Sequence, residues 1–114
     1  MPYSAPMSFL AQQTRERQEV REALFDETRR RLGEALRELA PGREFWLFGS
    51  LLHRGVFNPA SDVDVAWTTL PDGMTEFQLA AKLEERLGCP VDVVDLSRSR
   101  LRAKILREGE PWIA

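Results

Sequence analysis

The chain has a single cysteine, Cys89, which excludes an internal disulfide and a zinc site built from cysteines. Set between Gly88 and Pro90, it reads as a turn or core filler. No apolar run approaches the roughly 18–20 residues needed to cross a bilayer. Met1 to Leu10 lacks a basic stretch followed by an apolar core, so it does not read as a signal peptide. A reducing cytoplasm is the expected compartment, with no membrane partner. Neither charge sign prevails: 16 Lys and Arg against 18 Asp and Glu leave a formal charge of −2. No global field therefore draws the protein toward nucleic acid, and such a role would need a local patch. Internal repeats and low-complexity linkers are also missing.

What is there fits one domain, residues 1–114, with one core: 43% of the residues are hydrophobic and 30% charged. That size allows a three- or four-stranded sheet with helices on one side. Residues 8–40 carry a helical period, with Val20, Leu24, Thr28, Leu32, Leu36 and Leu39 on one stripe. Gln12 to Gln18 is polar all round, and Pro41-Gly42 stops the helix. Glu44 to Phe48 is an aromatic-rich apolar run that predicts a buried strand. Leu51 to Arg54 suits one or two helical turns, and Gly55 to Ser61 a loop. Val63, Val65 and Trp67 alternate with polar or small residues, as in a strand. Thr75 and Gln78 form a capping box for a helix to about Leu87, with Phe77, Leu79, Ala80, Leu83 and Leu87 apolar, closed by Gly88. Val91 to Leu96 predicts a strand, and Ser99 to Arg107 a last helix with Leu101, Ile105 and Leu106 inward. Trp112-Ile113 adds a short edge strand or plug. The expected class is α/β (α+β): a small mixed sheet with helices packed against it, and a long N-terminal helix ahead of a core spanning 44–113.

Three features carry chemistry. Gly49-Ser50 ends a buried strand and leads into a helix start, where a phosphate can approach the backbone and unpaired N–H groups. Asp62 and Asp64, two apart on a strand, point the same way with Cα atoms ~6.5–7 Å apart. On its own an Asp-x-Asp is usually a solvated pair at a sheet rim. Two carboxylates on one face also suit magnesium, a hard ion that takes oxygen ligands and shares substrate phosphates. Asp92 is an acid inside the apolar strand Val91 to Val94, costly unless satisfied. If that strand lies beside the first acidic one, Asp92 completes the site or takes a proton from an attacking hydroxyl. Asp95 falls on the opposite face, as a cap or rim acid.

These residues, GSLLHRGVFNPASDVDVAW followed by PVDVVDL, resemble the minimal nucleotidyltransferases of the DNA polymerase β-like superfamily. Their signature is Gly-Ser, a spacer of about ten residues, Asp-x-Asp and a later aspartate. Here the spacer, Leu51 to Ser61, is one residue longer; Arg54-Gly55, Ser61 and the closing ILREGEPWIA also fit. The resemblance covers about Phe45 to Ile113 and implies a nucleotidyltransferase fold. It further implies that Gly49 and Ser50 hold the triphosphate of ATP, and that Asp62 and Asp64 bind one or two Mg2+ ions. Asp92 is then the third ligand or the activating carboxylate. It implies as partner a helical HEPN-type toxin, with AMP transferred to a toxin tyrosine.

So small a unit has little surface for an acceptor, so a second protein or a second copy of the chain is expected to complete that site. Two rival readings remain: a nucleotide-binding partner protein that neutralises by contact alone, and a transferase for a small molecule or an RNA end. Among secondary candidates, His53 suits a surface or general-base position, and Arg54 a phosphate contact or a solvated charge. Arg98, Arg100, Arg102, Lys104 and Arg107 form a basic last helix, of which Lys104 is best suited to a triphosphate.

Overall fold

The computed structural model describes the backbone of residues 5–114, with side chains from Phe9 onward; the first residues of the stretch read as lacking a leader lie outside the described residues. The elements run α1 (Ala5–Leu39), β1 (Glu44–Phe48), a 3-10 turn (Gly49–Leu52), β2 (Val63–Trp67), α2 (Glu76–Leu87), β3 (Val91–Asp95), α3 (Arg102–Glu108) and β4 (Glu110–Ile113). The sheet order is β3-β2-β1-β4. Only β2 and β3 pair in parallel, because α2 crosses between them; the other pairs are antiparallel. The mixed sheet and long first helix match the class read from the sequence.

Strand alternation divides the side chains into two faces. Phe45, Leu47, Val63, Val65, Val91 and Val93 join the main core with Phe25, Leu32 and Leu36 of α1 and Leu79, Leu83 and Leu87 of α2. Burying each of these large side chains stabilises the fold by about 1.5–3 kcal/mol. The opposite face, Trp46, Phe48, Ala66 and Val94, packs against Leu96, just past β3, and Ile105 of α3. Helices therefore cover both sides of the sheet rather than one. Alternation leaves a second apolar face, and the short α3 is enough to cover it.

The helix faces differ in part from the sequence pattern. Thr28 is buried with its stripe, but Val20 is 62% exposed. Residues 9–21 of α1 are all exposed, because the sheet is too short to reach them. The molecule is accordingly 69 Å long and only 28 by 20 Å across. Phe77 is 90% exposed: it lies roughly 160° from Leu79 around a 3.6-residue turn, on the wet side of α2. Of the three residues expected inward in the last helix only Ile105 is buried; Leu101, which precedes α3, and Leu106 are 47% and 40% exposed. Thr75 accepts from the Gln78 amide at 3.1 Å and the Gln78 side chain accepts from the Thr75 amide at 2.9 Å, completing the capping box. β4 lies at the sheet edge, as an edge strand read there requires, and Ala114 exchanges hydrogen bonds with Gly42 and Arg43.

Candidate active site

The site forms where three strand ends meet on the α3 face of the sheet. β1 stops at Phe48, whose Cα partner on β2 is Asp64. Parallel pairing then places Asp92 of β3 in register with Asp64. One glycine corner and two carboxylates thus occupy neighbouring rungs of three adjacent strands.

Gly49 is required by geometry twice over. Its φ of 76° lies in the left-handed region, where a side chain is strained. A Cβ built there would also fall on the Asp64 carboxylate. The residue that turns the chain into the 3-10 turn is therefore also the residue that leaves room for the second acid of Asp-Val-Asp. Ser50 Oγ donates to the Asp62 carbonyl at 3.4 Å, a long hydrogen bond that ties the corner to the start of β2.

The charges in the site do not balance. Burial first, then the negative charges of Asp92 and Asp62, push the Asp64 carboxyl up to about 6 from an ordinary 3.8. Asp62 and Asp92 are exposed. Among the described residues, no group of three or more His, Cys, Asp or Glu side chains is close enough to hold a metal ion by itself. Magnesium is nevertheless compatible with this donor set. The ligands are hard carboxylate oxygens whose mutual repulsion a cation relieves, and the ion commonly takes one or two carboxylates, completing its shell from phosphate and water.

Gly49, Ser50, Asp64 and Asp92 line one open cavity of about 470 Å³, a volume in the range of small-ligand sites. Phe48, Leu52, Val56, Leu101 and Ile105 give it an apolar wall, and His53, Lys104 and Glu108 add polar groups. Asp62 does not line this cavity. Its backbone bonds Ser50 and its charge reaches Asp64. Lys104 is thus the member of the basic helix that faces the acids, while Arg98 lies 3.8 Å from Asp95. Arg54 turns away from the cavity to pair with Asp26 at 2.8 Å and to lie over the Phe25 ring. Glu108, one helical turn beyond Lys104, escaped the sequence reading; its i,i+4 spacing from the lysine was the available signal. Asp95 accepts from the Ser97 amide and hydroxyl, as a capping acid does. Cys89 is partly buried, its thiol pushed up by burial and then by Asp62 and Glu84, in keeping with a filler.

A glycine corner at a strand end, opposed by carboxylates on the next two strands, leaves the backbone open to close approach beside hard oxygen donors. The sequence profile of the family described as "Polymerase beta, Nucleotidyltransferase" matches residues 34–113, and the chain belongs to that family. The fold is similar to a solved minimal nucleotidyltransferase, at 30% identity and a TM-score of 0.59 over 77% of this chain and 95% of that one. It is similar to a chain of a toxin–antitoxin crystal structure with AMP-PNP, at 27% identity and a TM-score of 0.56, covering 75% and 73% of the two chains. A chain of the MntA-HepT toxin–antitoxin structure shares the fold at 24% identity, with a TM-score of 0.53 over 78% and 73%. No curated protein sequence matches the chain. Among the described residues, no helix is long and apolar enough to cross a membrane.

Proposed function

We propose that this nucleotidyltransferase transfers AMP from ATP to a hydroxyl of a partner protein, a tyrosine of a HEPN toxin, and thereby acts as its antitoxin. The observation that carries the reading is the single cavity shared by Gly49, Ser50, Asp64 and Asp92. The likeness to a toxin–antitoxin structure with AMP-PNP supports both the triphosphate and the partner. A helix whose residues 9–21 are all exposed offers a protein partner surface that the domain itself does not use.

In this reading the amides of the 3-10 turn hold the phosphates, because the first N–H groups of a helical turn have no partner within it. Asp62 and Asp64 would hold magnesium, with phosphate and water completing its shell; when bound it would neutralise the triphosphate and stabilise the entering and departing oxygens. Asp92, the exposed acid on the cavity wall, accepts the proton of the incoming hydroxyl. The acceptor oxygen forms its bond to the α-phosphorus as the bond to the β-phosphate oxygen breaks, and pyrophosphate leaves. Lys104 offsets the charge that the acids leave unbalanced across the cavity.

The test is a transfer assay with labelled ATP, magnesium and the HEPN partner, comparing wild type with Asp62→Ala/Asp64→Ala. Label should appear on the partner only with the wild type. A double variant that silences the partner as fully as the wild type would establish neutralisation by contact. Label on RNA or a small molecule, with none on the partner, would reassign the acceptor.

A further inference from the structure

The corner that turns β1 toward the cavity is held from behind by a residue of α1. Arg29 Nη1 donates to the Leu51 carbonyl at 3.0 Å, across 22 residues of sequence. Arg29 Nη2 donates to both carboxylate oxygens of Glu110 at 2.8 Å, across 81 residues. The guanidinium also lies over the rings of Phe25 and Trp112, at 5.3 and 5.2 Å from their centroids. Leu51 is fully buried, so its carbonyl needs a partner within the protein. At the far end of the same corner, Arg54 pairs with Asp26 and lies 5.0 Å from the centroid of that same Phe25 ring. Both ends of the stretch 51–54 are thus tied to one turn of α1.

We infer that Arg29 is a positioning residue for the phosphate-binding corner, an inference that rests on the triphosphate reading of the cavity. By fixing the Leu51 carbonyl it sets the tilt of the 3-10 turn, and with it the direction in which the Gly49 and Ser50 amides point. An arginine suits this task because its planar fork bonds a carbonyl and a carboxylate at once while stacking on an aromatic ring; a lysine ammonium cannot do all three. Glu110 accepts from the other arm of the fork. Burial pushes its carboxyl up, but the hydrogen bonds from Arg29 and Trp112 more than offset this and hold it below the usual range. A purely structural ion pair would act differently. Arg29 and Glu110 are 24% and 43% exposed, and a pair so open to water contributes little to stability.

Two variants separate the roles. Arg29→Lys keeps the charge near Glu110 and loses the fork. Glu110→Gln breaks the ion pair and leaves the bond to Leu51. Binding of Mg2+ with a non-hydrolysable ATP analogue and hydrogen exchange at the amides of residues 50–53 are measured for each. Arg29→Lys should weaken binding about tenfold, as expected for loss of a charged hydrogen bond, and speed exchange at 50–53. Glu110→Gln should leave both within twofold of wild type, with an unfolding temperature close to that of the wild type. Exchange at 50–53 unchanged in Arg29→Lys, or changed equally by both variants, would overturn the inference. Faster exchange in Arg29→Lys alongside a wild type that binds no triphosphate would instead overturn the proposed function and leave the positioning role standing.

Discussion

The substitution Asp64→Asn keeps the shape of the side chain and removes its charge, so it isolates the electrostatic cost of the site. In the unfolded chain Asp64 titrates near 3.8, and in the folded chain near about 6. Between those values the folded protein keeps a proton that the unfolded chain has released. Stability therefore falls as pH rises through this window and stays lower above it. The full shift corresponds to ~3 kcal/mol at 1.36 kcal/mol per pH unit. Water reaches one side of this carboxylate, and screening reduces the effect to about 1–1.5 kcal/mol. Asp64→Asn should then be more stable than wild type by that amount at pH 8 without divalent ions. The gap should shrink steadily below pH 6 and close near pH 4. Urea unfolding of both proteins at several pH values measures it. Adding magnesium with a non-hydrolysable triphosphate should narrow the gap at pH 8, because ligand binding stabilises the folded wild type. The reasoning is refuted if Asp64→Asn is no more stable at pH 8, or if the gap does not change with pH.

Gly49→Ala should lower stability by about 1–3 kcal/mol through backbone strain. It should also abolish transfer by displacing the Asp64 carboxylate, which thermal unfolding and the labelled-ATP assay check separately. Lys104→Gln should raise KM for ATP roughly tenfold, as loss of a charged contact to phosphate implies, and leave the unfolding temperature unchanged; equal KM values would remove Lys104 from the site.

Local pattern revealed much of this protein, and long-range geometry the rest. β1 is legible because an aromatic run between Pro41-Gly42 and Gly49-Ser50 has no other way to be buried. α2 announces its start through Thr75 and Gln78. Asp64 and Asp92 are readable as partners because each sits in an apolar strand where an acid needs a reason. Helix orientation was harder: α3 has seven residues, too few for its period to show that Leu106 faces out and that Lys104 and Glu108 face the cavity. Val20 continues the stripe of α1 in sequence, but no sheet lies beneath it. Arg29 looks like any arginine in the run 29–31, since its partners lie 22 and 81 residues away. Gly109 was legible only as a helix breaker. In the fold a Cβ there would press on the carbonyl oxygens of Ile105 at 2.5 Å and Leu47 at 3.0 Å, so α3 could not sit so close to β1.

The pairing of β2 with β3 gives the crossover between them an unexpected role. Asp64 and Asp92 share a rung only in this register, and a slip of one residue would bring Val91 or Val93 opposite Asp64 and turn the third acid into the core. The span from Thr75 to Gly88, capped at both ends, therefore acts as a ruler for the chemistry. Insertions and deletions within it should be as damaging to activity as loss of an aspartate, whereas an insertion between the exposed Asp72 and Gly73 should cost far less.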